Sequence, residues 1–294
     1  MKVLVIDGGG TSTDFGIFDY ESGKLVDRKT YPTSHILQVG IDKMIEILSN
    51  GINHFNINKD DYIVFGLAGY GNDSNIRDII DKNIEKNFGH YRYLLTNDVS
   101  LAYYSEFQDR TGILIILGTG SIAYKYKEGK FARSGGWGYK LGDEASGYDI
   151  GIKLLNEFTK QADGREEKTL LYNEIRSYFS LKSDYDLISI MDKMGRKEIA
   201  SLSKIAFDLY KKSEGFSIKL IDYLAEEICK MIESLCDEDV DEVVLFGGIT
   251  KSNINLNEIV SKKLNMDLKI SLSKNNPLYG GYLLAKKKLE NRVS

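Results

Sequence analysis

Two glycine turns with hydroxyl side chains are the first candidates for chemistry. Val3–Phe18, VLVIDGGGTSTDFGIF, combines an apolar run, a glycine turn and a second apolar run. Gly112–Tyr126, GILIILGTGSIAYKY, repeats this layout about one domain length later. N–H groups exposed in such turns bind anions. Each hairpin alone is ordinary structure, but together they predict a duplicated fold whose two turns face one cleft.

Two aspartates follow predicted strands at positions that suit phosphoryl transfer. Asp7 lies at the mouth of the first glycine turn, where a carboxylate would repel a polyphosphate unless a divalent cation lay between them. Mg²⁺ prefers oxygen ligands and keeps several waters, so Asp7 suits this cation. Asp98 ends a later strand and could accept the proton of an attacking hydroxyl. Alternatively, Asp7 could cap the turn, and Asp98 could cap the helix that starts near Ser100.

The wider pattern alternates apolar strands with helical spacing and predicts an α/β protein. A long helical region, Asp149–Cys236, separates the second hairpin from a third glycine pair in EVVLFGGITKS, Glu242–Ser252. The other predicted elements are strands at Val3–Ile6, Phe15–Asp19, Asp61–Leu67 and Tyr91–Leu95, a helix within Gly40–Leu48, and a helix capped by Ser74.

Composition excludes several classes of function. The chain has 294 residues and a formal net charge of -4, so no basic surface for nucleic acid is expected. No apolar run approaches the roughly 20 residues of a membrane span, and no signal peptide pattern precedes the first strand. Cys229 and Cys236 lie two helical turns apart and are expected to be apolar neighbours rather than a disulfide. A reducing, cytoplasmic location is therefore predicted.

Four motifs, in order and spacing, resemble the N-acetylglucosamine kinase family: DGGGTSTDFGIFD, TND, GILIILGTGS and GGWGYKLGDEASGYDIG. The likeness extends to the BadF/BadG/BcrA/BcrD ATPases, which activate benzoyl-CoA reductase and 2-hydroxyacyl-CoA dehydratase, and returns at VVLFGGI and PLYGGYLLA. Neither turn fits a P-loop or a dinucleotide fingerprint. The resemblance implies an α/β fold of two ribonuclease-H-like, actin-like ATPase domains with the active site in the cleft between them. Residues 1–110 and 111–282 would form these domains, with a helical insertion in the second, and residues 283–294 could pack back on the first.

The resemblance also implies a role for each candidate residue. Asp98 would be the catalytic base, and Asp7 would hold Mg²⁺. ATP would contact Gly9, Gly10, Thr11, Gly118, Thr119 and Gly120 through its phosphates, and Gly247 and Gly248 through its adenosine. The sugar would contact Ser34, His35, Asp98, Ser121, Gly136, Trp137, Gly138 and Asp143. Three structural alternatives remain: His35 in a surface loop, Trp137 in the core, and the Gly247–Gly248 pair as a plain strand-to-helix turn.

The function predicted from this resemblance is ATP-dependent phosphorylation of an amino sugar at its 6-hydroxyl. N-acetylglucosamine and its lactyl ether, N-acetylmuramic acid, are the expected substrates, which places the enzyme in amino sugar metabolism and cell wall recycling. The alternatives are a glucosamine kinase, a dehydratase or reductase activator with an iron–sulfur cluster, and a sugar-binding regulator without activity. The expected partners are the sugar and ATP, without nucleic acid or membrane, and a homodimer is compatible with the resemblance.

Overall fold

The computed structural model describes residues 1–71 and 73–291. The strands of these residues are β1 Lys2–Gly8, β2 Ser12–Asp19, β3 Leu25–Pro32, β4 Tyr62–Leu67, β5 Arg92–Thr96, β6 Ile113–Leu117, β7 Ser121–Lys127, β8 Lys130–Gly135, β9 Glu242–Phe246 and β10 Lys269–Leu272. The helices are α1 Ile36–His54, α2 Ser74–Phe88, α3 Asp98–Phe107, α4 Gly147–Ala162, α5 Leu170–Phe179, α6 Asp186–Met191, α7 Arg196–Ser201, α8 Ser203–Lys211, α9 Gly215–Leu235, α10 Leu256–Lys263 and α11 Pro277–Glu290.

The chain folds into two compact units. One comprises Met1–Arg110 with the described part of Lys274–Ser294, and the other comprises Thr111–Ser273. The chain therefore changes unit after Arg110 and again after Ser273, while the division into domains at residues 110 and 282 stays a prediction.

The first unit is built on a sheet of strand order β3-β2-β1-β4-β5. The strands β1, β2 and β3 form an antiparallel meander, whereas β4 and β5 run parallel to β1. Successive residues of β1 point to opposite faces, and both faces are covered. Leu4 and Ile6 pack with α1 and α2, and Val3 and Val5 pack with α3 and α11. A continuous apolar run is what burial on both faces requires.

The second unit repeats this topology with strand order β10-β9-β6-β7-β8. Again the first three strands, β6, β7 and β8, form an antiparallel meander, while β9 and β10 are parallel to β6. Helices α4 to α10 supply most of its core, and α9 alone buries ten residues. The predicted duplication of a strand–turn–strand hairpin is therefore confirmed, and each glycine turn joins the first two strands of its sheet.

Some predicted boundaries are wrong in detail. Asp73, rather than Ser74, caps α2, because its carboxylate accepts hydrogen bonds from the N–H groups of Asn75 and Ile76. Strand β3 was not predicted, since nearly all of its residues are exposed and an exposed edge strand lacks an apolar pattern. Both cysteines are free; Cys229 is buried in α9, and Cys236 lies just beyond its end.

Candidate active site

The first glycine turn is held by its carbonyl groups. The Thr33 hydroxyl donates to the carbonyl of Gly9 at 2.8 Å, and the Gln38 amide donates to that of Gly10 at 3.0 Å. Within the described residues, the N–H groups of Gly9, Gly10 and Thr11 donate no hydrogen bond. The turn therefore has fixed carbonyls and unused donors, which is the arrangement that backbone anion sites use.

The segment after β3 packs against this turn through Ser34. Ser34 is only 2% exposed, and it exchanges two hydrogen bonds of 2.9 Å with Thr13. A methyl group on Gly8 would lie 2.8 Å from the Ser34 hydroxyl, so glycine allows this close approach. His35 caps α1 by accepting the Leu37 N–H on Nδ1 at 3.2 Å, and burial lowers the pKa of its imidazole. His35 thus lies in the loop between β3 and α1 and is partly buried, and the sugar contacts of Ser34 and His35 stay predictions.

Asp7 is a carboxylate in an unfavourable electrostatic environment. It faces Asp14 across the β1–β2 ladder. Desolvation raises the pKa of Asp7 well above its usual value, and the charges of Asp98 and Asp14 raise it further, while Arg28 opposes the shift. In the part of the chain that the structure describes, its carboxylate accepts no hydrogen bond, so the turn-capping alternative is wrong. Arg28, which lies 3.2 Å from Asp14, only partly offsets these negative charges, and a bound cation would offset them further.

Asp98 is the first residue of α3 but does not cap this helix. The cap is Asn97, whose side chain accepts the N–H and the hydroxyl of Ser100, both at 2.7 Å. Burial raises the pKa of Asp98 to about 6, against the opposing effect of the N–H groups of Val99 and of Asp98 itself. The capping alternative is therefore wrong. A carboxylate with a raised pKa is a stronger proton acceptor than an ordinary aspartate.

The second glycine turn, between β6 and β7, is braced by the start of α4. Gly118 donates to the carbonyl of Gly120 at 2.9 Å and accepts the N–H of Gly147 at 2.8 Å. Among the described residues, no hydrogen bond is donated by the N–H groups of Thr119 and Gly120. This turn also carries unused donors, and Ser121 behind it is buried, with its hydroxyl donating to the carbonyl of Glu144.

Asp143 packs directly against the second turn. A methyl group on Gly120 would lie 2.8 Å from its carboxylate. Asp143 has a φ of 62° and is 5% exposed. Its carboxylate accepts the Gly138 N–H at 3.2 Å and lies 3.3 Å from the Arg196 guanidinium. Burial nevertheless raises the pKa of Asp143, with Gly138 and Arg196 opposing the shift.

Trp137 lies on the surface of the second unit. Its side chain is 65% exposed, and the Arg133 guanidinium lies 4.8 Å from its ring centre. The neighbouring Gly136 and Gly138 have φ of 71° and 84°, a conformation that disfavours other residues. The core alternative for Trp137 is wrong, and an exposed ring in a glycine-rich loop is available for contact with a ligand.

The third glycine pair follows β9. Gly247 has a φ of 118°, and a methyl group there would lie 2.3 Å from the Leu117 carbonyl oxygen. Gly248 has an ordinary φ of -66°, and a methyl group on it would meet nothing within 4 Å. The first glycine therefore allows β9 to end close against β6, whereas the second leaves open space beside the backbone.

This difference predicts the stability of two matched variants. Gly247→Ala is expected to lose about 2 to 3 kcal/mol of unfolding free energy, since a side chain there strains the backbone. Gly248→Ala is expected to stay within about 0.5 kcal/mol of the wild type, as for other uncrowded positions. Urea unfolding followed by circular dichroism measures both. Equal unfolding midpoints for the two variants would contradict the steric argument.

Two surface cavities of the second unit lie apart from these residues. One has a volume of about 430 Å³ between α4 and α9, and the other has about 460 Å³ beside α6. None of the predicted site residues lines either cavity. Three contributors to the turns and to Asp143 were not predicted from the sequence: Thr33, Gln38 and Arg196. Thr33 could have been found from the two hydroxyl residues, Thr33 and Ser34, that precede the cap of α1, but no sequence pattern marks Arg196.

The two repeated sheets, each with a glycine turn after its first strand, define an α/β protein of two actin-like ATPase domains. The predicted fold class is therefore confirmed. A solved structure from Chromobacterium violaceum, provisionally named an N-acetylglucosamine kinase, has the same fold with a TM-score of 0.77, 21% identity and coverage of 96% of this chain and 98% of that one.

The chain belongs to the BadF/BadG/BcrA/BcrD ATPase family, whose sequence model matches residues 4–285. It is 31% identical to an N-acetylmuramic acid/N-acetylglucosamine kinase of Clostridium acetobutylicum, over 97% of this chain and 98% of that protein. It is 29% identical to an N-acetyl-D-glucosamine kinase of Dictyostelium discoideum, over 88% of each chain. The predicted family is therefore confirmed. In residues 1–71 and 73–291, no helix has the length and apolar character needed to cross a bilayer.

Proposed function

We propose that this protein is an ATP-dependent amino sugar kinase that transfers a phosphoryl group to the 6-hydroxyl of N-acetylglucosamine, N-acetylmuramic acid or both. The observation that carries the proposal is Asp98. Its carboxylate does not cap α3, which Asn97 caps, and desolvation raises its pKa to about 6. The negative charge of Asp98 also raises the pKa of Asp7, which lies beside the first glycine turn. The names of the relatives support the same substrates.

Asp98 acts as the general base. Phosphoryl transfer to an alcohol needs an acceptor for the hydroxyl proton, positioned in line with the transferred group. The carboxylate of Asp98 accepts this proton as the sugar oxygen bonds to the γ-phosphorus of ATP. The bond from that phosphorus to the bridging oxygen breaks, and ADP leaves with the electron pair. The unused N–H groups of Gly9–Thr11 and of Thr119–Gly120 bind the phosphate oxygens. Gly247 and Gly248 lie against the adenosine.

Asp7 suits a role as magnesium ligand. Its pKa is raised by burial and by two neighbouring carboxylates, a cost that a bound cation would remove. Within the described residues, no group of three metal-binding side chains occurs, and Mg²⁺ in such enzymes often takes only one or two carboxylates, with water and phosphate completing its shell. Mg²⁺ would neutralise charge on the transferred phosphate.

The proposed sugar contacts are the side chains of Asp98, Ser34, His35, Ser121, Trp137 and Asp143 and the backbone at Gly136 and Gly138. A charged carboxylate such as Asp143 accepts strong hydrogen bonds from sugar hydroxyls. Because the reaction consumes ATP, we place the protein in the cytoplasm.

The pKa of Asp98 predicts the pH dependence of the reaction. The base must be ionised, so kcat/KM should rise about tenfold per pH unit below about 6 and level off above it. Initial rates of ADP formation from pH 4.5 to 8.5, with magnesium and ATP saturating, measure this profile. A profile flat down to pH 4.5 would show that no group with this pKa controls the step.

A panel of amino sugars tests the function directly. ADP release is coupled to an optical assay with N-acetylglucosamine, N-acetylmuramic acid, glucosamine and glucose as acceptors. The two N-acetylated sugars are expected to stimulate ADP release by at least about tenfold. Equal ADP release with and without every sugar would contradict the kinase proposal.

The iron–sulfur activator alternative is not favoured. Such an ATPase holds its cluster with cysteines at a subunit interface, but Cys229 is buried in α9, and burial raises the pKa of its thiol to about 11. A thiol of this kind is a poor metal ligand. Iron analysis of anaerobically purified protein is expected to find none.

A further inference from the structure

Arg196 is a half-exposed guanidinium that its own unit holds in place. It is the first residue of α7, and 46% of its side chain is exposed. One nitrogen lies 3.3 Å from the Asp143 carboxylate, and its guanidinium carbon lies 4.3 Å from the centre of the Tyr139 ring. These contacts reduce the rotamer freedom that a surface arginine would otherwise lose on binding a ligand.

The guanidinium of Arg196 has hydrogen-bond donors to spare. Arginine carries five N–H donors, yet in the described part of the chain its side chain donates only to Asp143. Asp143 is itself buried, and burial keeps its pKa raised despite this neighbour. The pair therefore leaves a fixed cation with most of its donors unused.

The surroundings of Arg196 favour an anionic ligand. Arg133 lies 4.8 Å from the Trp137 ring centre, and Lys140 lies 5.9 Å from that of Tyr139. Cations thus line the exposed aromatic rings of this loop. The charged residues of this loop and of the start of α7 are Arg133, Lys140, Arg196 and Lys197 against Asp143, Glu144 and Glu198.

We propose that Arg196 binds the carboxylate of an acidic amino sugar, one whose ring carries a carboxylate through an ether, as in N-acetylmuramic acid. The inference rests on the proposed function, which makes Asp143 a sugar ligand. Because the Arg196 guanidinium lies 3.3 Å from the Asp143 carboxylate, a sugar bound by Asp143 lies next to Arg196. The planar fork of arginine matches the two oxygens of a carboxylate. Arg196 is thus a specificity residue for the substituent on the sugar ring.

A cycle of two enzymes and two substrates tests this contact. The substrates are N-acetylmuramic acid and its methyl ester, which removes the negative charge; N-acetylglucosamine is the reference. In the wild type, kcat/KM is expected to be at least about tenfold higher for the acid than for the ester. Arg196→Gln should lower this ratio by about 10- to 100-fold. If Arg196 merely neutralised Asp143, the rates on all three sugars would fall together and the ratio would not change.

Two further variants complete the design. Arg133→Gln removes an arginine that also lies over an exposed ring but that, in the described part of the chain, forms no ion pair with Asp143, and its acid-to-ester ratio is expected to fall far less than that of Arg196→Gln. Arg196→Lys keeps the charge beside Asp143 but loses the planar guanidinium, so an acid-to-ester ratio between those of the wild type and Arg196→Gln is expected. If Arg196→Gln does not fold, Arg196→Lys still tests the contact. An unchanged ratio in both Arg196 variants overturns the inference, as does a wild type that phosphorylates N-acetylglucosamine and rejects the acid. Failure with every sugar overturns the proposed function itself.

Discussion

Asp98→Asn is expected to reduce sugar-dependent ADP release by about 10²- to 10⁴-fold, the usual contribution of a general base. The amide has the shape of the carboxylate but cannot accept the hydroxyl proton. ATP binding should be nearly unchanged, because the glycine turns supply the contacts to phosphate. The coupled kinase assay measures the first effect, and titration with a fluorescent ATP analogue measures the second.

Asn97→Ala is the matched control for Asp98→Asn. It removes the cap of α3 and should destabilise the protein by about 1 kcal/mol, while the carboxylate of Asp98 remains. Its activity, measured well below its melting temperature, should fall far less than that of Asp98→Asn. Comparable losses in the two variants would mean that the start of α3, rather than the proton acceptor, is what the reaction needs.

Asp7→Asn should abolish magnesium-dependent ATP binding and yet raise the melting temperature of the protein without nucleotide at pH 7.5. The native state disfavours the ionised form of Asp7, as its raised pKa shows. Such a group weakens the fold above its folded-state pKa, and the penalty disappears below its unfolded-state pKa, near 4. The gain in melting temperature should therefore shrink as the pH falls toward 4.

Thermal shift measurements with and without magnesium and ATP separate the two effects. Magnesium and ATP together should raise the melting temperature of the wild type and leave that of Asp7→Asn unchanged. Asp19→Asn changes the partly exposed aspartate at the far end of β2, whose pKa is lowered by a hydrogen bond from Ser22; this control should respond to ATP like the wild type. A variant at Asp7 that melts lower than the wild type and still responds to ATP would refute the assignment.

The parts of the fold that the sequence predicts are those with strong local signals. The apolar runs of β1 and β6, each followed by glycines, identify the hairpins because burial on both faces leaves no room for polar residues. Strand β3 escapes prediction because almost all of its residues are exposed. Asp73 and Ser74 are both good caps, and only the backbone conformation decides between them.

The site is less predictable than the fold because its residues act through contacts distant in sequence. The roles of Asp7 and Asp98 follow from chemistry and from the resemblance, but their raised pKa values depend on burial, which no motif encodes. Trp137 gives no local sign of whether it is buried, and the structure exposes it. Arg196 lies 53 residues from Asp143, in a helical region without a recognisable pattern.

The last helix has a consequence for how the protein is made. Leu278 and Tyr282 of α11 share a core with Val3 and Val5 of β1, and a methyl group on Gly280 would lie 2.0 Å from the Leu101 carbonyl oxygen. During synthesis on the ribosome, the core of the first unit cannot be completed until α11 has been made, whereas all residues of the second unit precede α11. A premature stop codon shortly before Pro277 would therefore harm the beginning of the protein more than its middle.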